Sequence, residues 1–142
     1  MEIKLAKDDT QIEFCKDALL AFRTNVKSED FHQQVLRMMK NGYQIAYIEN
    51  DDNDGAAAVI GFRIYEMLFT GTILYVDDLF TFDKERGKGY AEALLNYVTE
   101  HARSMGIRMI HLDSGFALHP AHRLYLRNGF VLGCHHFIKF ID

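Results

Sequence analysis

Cysteine is scarce: Cys15 and Cys134 are the only two in 142 residues, far apart and with no CxxC. That excludes a disulfide framework or a zinc knuckle, and both side chains read as packed thiols. Positive charge is not in excess either. Lys and Arg number 16 against 20 Asp and Glu, leaving −4 at pH 7, too acidic overall for a general nucleic-acid binder that must neutralise several phosphates. Uncharged stretches such as Met67–Val76 fall far below the ~18 apolar residues of a membrane span, and the start MEIKLAKDDT lacks the apolar centre of a signal peptide. A cytoplasmic protein without membrane or nucleic-acid partners is expected. Internal repeats and low-complexity tracts are also missing. What the chain does have is apolar and aromatic content, 49% and 13%, at a length where roughly 68–70% of the unfolded surface can be buried. Intrinsic disorder is excluded, and residues 1–142 are expected to form a single domain.

Glu2–Ala6 alternates polar and apolar residues as a short strand does, and Asp8, Asp9 and Thr10 then offer N-cap chemistry. Ile12, Cys15, Leu19 and Phe22 fall at three- and four-residue spacing, which returns after Ser28 at Phe31, Val35, Met38 and Met39 and predicts two short amphipathic helices. Tyr43–Glu49 and Ala56–Glu66 are β-rich runs joined by the acidic turn Asn50–Gly55. Another strand, Thr72–Phe82, is interrupted by Asp77 and Asp78. From Gly87 on, Ala91, Leu94, Leu95, Val98, Ala102 and Met105 make the apolar face of the longest helix, which Gly106 ends. Arg108–Asp113 reads as a strand, Ala117–Arg127 as a short helix ended by Asn128-Gly129, and Phe130–Ile141 as one or two final strands. The order β-α-α-βββ-α-β-α-β-β predicts an α/β fold, a single twisted mixed sheet with helices packed on it.

The most informative segment is Arg86-Gly-Lys-Gly-Tyr-Ala91, between a strand and the long helix. Gly87 and Gly89 allow a tight turn and bring bare N–H groups close to a ligand, while the helix N-terminus adds about half a positive charge. This is an anion cradle, and Lys84, Arg86 and Lys88 surround it with positive charge suited to a pyrophosphate. From the two glycines alone, an ordinary helix entry with solvated lysines is the alternative. The segment is neither a Walker loop, which needs GxxxxGK before Ser or Thr, nor a Rossmann fingerprint, since Glu92 stands at the third glycine.

Arg86-x-x-Gly89-x-Ala91 after a strand ending Leu79-Phe80-Thr81, followed further on by Leu124-Tyr125-x-x-Asn128-Gly129-Phe130, resembles the two signature segments of the GNAT family of N-acetyltransferases. The order of elements is similar to that family's over the whole chain. In it the loop holds the pyrophosphate of acetyl-CoA, the preceding strand pairs its backbone with the pantetheine arm, and the tyrosine before Gly-Phe lies near the thioester sulfur. The resemblance implies acetyl-CoA as co-substrate, bound by Leu79, Phe80 and Thr81, by Arg86, Gly87, Lys88, Gly89, Tyr90 and Ala91 of the loop, and by Asn128, with Tyr125 near the sulfur. Ala91 replaces the commoner second glycine, and Thr81 stands where a valine is usual. Neither departure upsets cofactor binding. The family pattern also admits a homodimer.

Tyr125 has a physical case of its own. The departing sulfur needs a proton, and a phenol of pKa about 10 is protonated at pH 7 and able to give one. Without the family pattern it reads as a core tyrosine facing the sheet. Asp77 and Asp78 lie in mid-strand, where Asp is disfavoured and where neighbours point to opposite faces unless a bulge intervenes. An amine substrate arrives as an ammonium of pKa near ~10 and must lose a proton before attacking, so a carboxylate beside the thioester can bind the cation and take its proton directly or through water. Tyr75-Val-Asp-Asp-Leu-Phe-Thr81 resembles the acidic pair of diamine and polyamine acetyltransferases, which implies a small cationic amine, with polycations favoured over acidic amines. Either aspartate can be the base, and a pair hydrogen-bonded to nearby backbone is the plain alternative.

His111, His119, His122, His135 and His136 form no HExxH and no Cys/His pair at ligand spacing, so no metal is expected. Cys134 lacks a His/Asn partner pattern, so direct attack is expected rather than an acyl-enzyme. Arg123 and Arg127, one helical turn apart beside Tyr125, face either phosphates or solvent. An acetyl-CoA-dependent N-acetyltransferase of a small amine is the main expectation. A protein-lysine or N-terminal acetyltransferase fits the same residues. A non-catalytic acyl-CoA-sensing module would keep the loop but have no need for Tyr125 and the two aspartates.

Overall fold

Asp8 caps the first helix, as its position predicts: its carboxylate accepts the Gln11 N–H at 2.8 Å, and α1 runs Asp9–Phe14. The computed structural model describes residues 1–142, in two compact units, Met1–Leu112 and Asp113–Asp142. In the first unit the single helix expected from Ile12 to Phe22 is broken at Cys15. The Cys15 N–H is shared between the carbonyls of Gln11 (3.3 Å) and Ile12 (3.1 Å), a tightened turn after which α2, Lys16–Phe22, begins. A third helix, α3, spans Ser28–Lys40. β1 (Lys4–Leu5), β2 (Gln44–Glu49), β3 (Ala56–Met67), β4 (Gly71–Thr81) and β5 (Ile110–Leu112) form one sheet in the order β1-β2-β3-β4-β5. Neighbours are antiparallel except β4 and β5, which run parallel because α4, Tyr90–Ser104, connects them. The Asn50–Gly55 turn closes β2 onto β3, with the Asn50 N–H on the Gly55 carbonyl at 2.9 Å.

Helices cover both faces of the sheet. On one, Ile45, Tyr47 and Val59 alternate inward to meet Ile12, Cys15, Leu19, Phe31 and Val35, none of them more than 6% exposed. Burying each large side chain of this kind contributes about 1.5–3 kcal/mol. On the other face α4 buries Leu94, Leu95, Val98 and Ala102 and sets His101 against Phe62 of β3. Gly106 ends α4 at a φ of 73°, donating to the Arg103 carbonyl while Ile107 donates to that of Ala102. No helix of the chain is long and apolar enough to cross a membrane.

The second unit holds α5, His119–Arg127, which Asn128 and Gly129 terminate in the same way, the Phe130 N–H reaching the Tyr125 carbonyl at 3.0 Å. Here one expectation is corrected: the alternating run from Phe130 to Ile141 forms no strand. Alternation supplies a face, but a strand also needs a neighbour for its N–H and C=O groups, and this unit contains no other strand. Val131, Leu132, Phe137 and Phe140 are accordingly 84% to 90% exposed. The chain is thus of the mixed α/β class, a five-stranded sheet flanked by helices, without the last two strands of the expected order.

Candidate active site

Gly61 of β3 pairs with Asp78 of β4, but Phe62 pairs with Val76, so Asp77 is an extra residue in β4 with no partner across the ladder. This bulge resolves the puzzle of two adjacent strand aspartates. Both line one pocket of about 380 Å³, together with Leu19, Arg23, Phe31, Tyr43 and Tyr75. Neither carboxylate is unpaired. Arg63 on β3 grips Asp77, Nε donating to Oδ1 at 2.9 Å and Nη2 to Oδ2 at 2.6 Å, and this bond raises the guanidinium pKa above its ordinary value. Asp78 is 8% exposed and receives one donor on each oxygen, Arg23 Nε on Oδ1 at 2.7 Å and the Tyr43 hydroxyl on Oδ2 at 2.6 Å. Two arginines therefore balance two aspartates, which removes the excess negative potential behind the expected preference for polycations. A carboxylate has about four lone-pair sites. Asp77 accepts three contacts from Arg63, whereas Asp78 accepts two, one on each oxygen, and has a lone-pair site left on each.

Tyr43 stands just before β2, in phase with Ile45 and Tyr47, and is 3% exposed. Its hydroxyl reaches Asp78 only because residue 61 has no side chain. A Cβ on Gly61 would lie 2.0 Å from Tyr43 Oη and 2.7 Å from Asp78 Oδ2. Burial, and then the Asp78 charge, push the Tyr43 pKa well above its ordinary value, so the phenol stays protonated and donates.

Beyond β4, Gly87 and Gly89 take φ values of 79° and 81°, and Gly89 is the N-cap of α4. The first N–H of this helix end to find an acceptor in the chain is that of Ala93, on the Gly89 carbonyl at 3.0 Å. Those of Gly89, Tyr90, Ala91 and Glu92 have none, the arrangement an anion cradle needs. The basic side chains are less available than expected. Lys88 Nζ lies 2.5 Å from Glu85 Oε2, which raises its pKa, and Arg86 Nη2 lies 2.9 Å from Asp83 Oδ1. What the loop holds out to an anion is therefore mainly its backbone.

Between pocket and loop runs the end of β4. β5 pairs with β4 only from Leu74 to Val76, while Leu79, Phe80 and Thr81 pair with β3 alone, so within this unit their second edge has no strand beside it. Thr81 Oγ1 is buried with no partner. The Phe80 ring packs on Phe22 (5.7 Å) and Phe82 (5.1 Å), which leaves its backbone rather than its side chain for a ligand. Tyr125 and Asn128 belong to the second unit. Burial raises the Tyr125 pKa, and Asn128 Nδ2 donates to the Leu124 carbonyl at 2.8 Å. Arg23, Tyr43, Gly61 and Arg63 escape a reading of the sequence; only Arg63 carries a signal, as a charge in a buried strand that must have a partner.

A profile of the Acetyltransferase (GNAT) family matches residues 12–130. YhdJ of Bacillus subtilis (strain 168), an uncharacterised N-acetyltransferase, is 29% identical over 119 residues, covering 82% of each chain. Among solved structures, glucosamine-6-phosphate N-acetyltransferase from Arabidopsis thaliana superposes with a TM-score of 0.74 at 20% identity, over 100% of both chains. Ribosomal-protein-alanine N-acetyltransferase from Brucella melitensis biovar Abortus 2308 does so with 0.81 at 16% identity, over 99% of this chain and 100% of the other. These two likenesses speak to the fold alone, and the acceptors in their names differ. With the profile running from α1 to just beyond α5, the chain belongs to the Acetyltransferase (GNAT) family.

Proposed function

We propose that the protein is an acetyl-CoA-dependent N-acetyltransferase whose acceptor is a small molecule with a primary amine, cationic at neutral pH, that attacks directly. The observation that carries this reading is Asp78, a buried carboxylate lining a pocket, held by two donors and with room on each oxygen for a third partner. The residues fit acetyl-CoA: the free amides of Gly89 to Glu92 suit a pyrophosphate, and the open edge of Leu79, Phe80 and Thr81 suits the amides of a pantetheine arm. When bound, acetyl-CoA supplies an acetyl group activated as a thioester. Asp78 binds the incoming ammonium, whose pKa near ~10 keeps it charged at pH 7, and takes its proton or passes it to water. Arg23 and Tyr43 donate to one oxygen each and so fix the orientation of this carboxylate toward the pocket. Asp77, gripped by Arg63, holds the bulge. The segment Leu124 to Phe130 supports Tyr125 as proton donor to the departing sulfur, and its raised pKa leaves it protonated.

The test is a thiol-release assay with acetyl-CoA across polyamines, amino sugars, amino acids and peptides. Turnover of a small amine is expected, reduced about 10²–10⁴-fold in kcat by Tyr125→Phe with CoA affinity near wild type. Turnover of peptides alone would move the assignment to a protein acetyltransferase. CoA binding without turnover of any amine would leave an acyl-CoA-sensing module.

A further inference from the structure

We infer that the acceptor is a zwitterion, an amino acid with an apolar body, and that Arg23 is the residue that selects it; the inference rests on the proposed reading of the pocket as the acceptor site. Arg23 is the C-cap of α2, and its guanidinium is fixed by three contacts. Nε donates to Asp78 Oδ1 at 2.7 Å, Nη2 donates to the Asp77 carbonyl at 2.6 Å, and Cζ lies 4.1 Å from the centroid of the Phe22 ring. The two hydrogen bonds occupy the edge formed by Nε and Nη2. A guanidinium has five N–H donors, and of the three left over, one on Nη1 and one on Nη2 form the end-on fork that grips a carboxylate bidentately. Arg23 is the only cation lining the pocket, and its side chain as a whole is 45% exposed.

The pocket therefore presents the complements of an amine and of a carboxylate side by side: the open positions on Asp78 and the fork of Arg23, joined by a 2.7 Å bond. An α-amino acid carries its ammonium and carboxylate on a single carbon, and lies against this pair with opposite charges matched. A polyamine would find one available carboxylate with a fixed cation beside it. Of the remaining wall, Leu19, Leu20, Val26, Phe31, Val35 and Met38 are apolar, beside the polar Asn25, Gln34, Tyr43 and Tyr75, and this apolar majority suits an aliphatic or aromatic side chain. Transfer forms the new N–C bond and breaks the thioester C–S bond, with the amine proton leaving through Asp78 and the sulfur released as a thiol.

Leucine, methionine and phenylalanine are compared by thiol release with isopentylamine, 3-methylthiopropylamine and phenethylamine, which lack only the carboxylate, and with spermidine. Each amino acid is expected to show a kcat/KM at least about tenfold above its decarboxylated partner, chiefly through KM. Arg23→Gln should bring that ratio to about one, and Arg23→Lys should restore part of it. Because the ratio is read within each variant, a loss of folded protein lowers both rates and leaves the comparison intact. Simple amines or spermidine turned over as well as the amino acids would overturn the inference while leaving acetyl transfer in place, as would a ratio that Arg23→Gln does not change. No turnover of any amine, here or in the wider panel, would overturn the acetyltransferase reading and the inference with it.

Discussion

The pocket around Asp77 and Asp78 and the loop from Arg86 to Ala91 both deal with charge, and they are built in opposite ways. The loop works with consecutive residues: glycines at positive φ, free amides at a helix end, and side-chain charges paired three residues apart, Asp83 with Arg86 and Glu85 with Lys88. The pocket assembles side chains across sequence separations of 55 residues for Arg23, 35 for Tyr43 and 14 for Arg63. A local device of this kind depends on backbone shape and fails with one backbone change. A long-range one depends on side-chain partners and fails piece by piece.

Damage to each should show in a different measurement. The largest effect is expected from Asp78→Asn, which should lower kcat by about 10²–10⁴ while calorimetry finds CoA affinity near wild type; unchanged turnover would take the proton-accepting role away from Asp78. Gly89→Val should weaken CoA binding about 10–100-fold, because a branched Cβ at positive φ distorts the cradle, whereas Lys88→Ala should cost no more than about threefold. Equal CoA affinities in the valine variant and the wild type would remove the cradle altogether. Asp77→Asn should act mainly on stability, costing about 1–2 kcal/mol in denaturant unfolding as Arg63 loses its charged partner, with a smaller kcat change than Asp78→Asn. An equal loss of kcat in both variants would erase the distinction between the two aspartates.

The smallest effect concerns the core beneath the pocket. Burial pushes the Cys15 thiol from 9.0 up to about 12. The folded state then holds this proton more tightly than the unfolded state does, so the contribution is complete below pH 9 and is lost as pH rises toward 12. Between pH 9 and pH 10 unfolding free energy should fall by about 1 kcal/mol through this group, a slope that Cys15→Ala should flatten.

The contrast between local and long-range construction also separates what the sequence announces from what it conceals. The loop is legible because glycine spacing, a strand before it and an apolar helix after it all lie within one short window. The two aspartates are legible as an anomaly, since carboxylates in a strand demand an explanation, and the bulge at Asp77 is among the outcomes that anomaly allows. Their neutralisation is not legible. Arg23 ends a helix as an ordinary surface arginine would, and Tyr43 continues the inward phase of Ile45 and Tyr47; only folding brings them to Asp78. Gly61 is read as one more residue of an apolar strand, because nothing local says that its missing side chain makes room for a hydrogen bond. The run from Phe130 to Ile141 errs the other way: its alternation is a local signal, and pairing, which is not local, does not follow.

Gly61 also limits the order in which this pocket can change. A Cβ there falls within 2.6 Å of Tyr43 Cζ as well as 2.0 Å of the hydroxyl, so the ring itself, and not only its oxygen, occupies the space. A lineage that began by replacing Gly61 would have to displace a buried ring and unsettle Asp78 in one step. One that first exchanged Tyr43 for a smaller residue would open the space and could then vary position 61 at little cost. The two positions are thus expected to evolve as a linked pair with a preferred sequence of events, so that a side chain at 61 arises in relatives that have already given up the tyrosine.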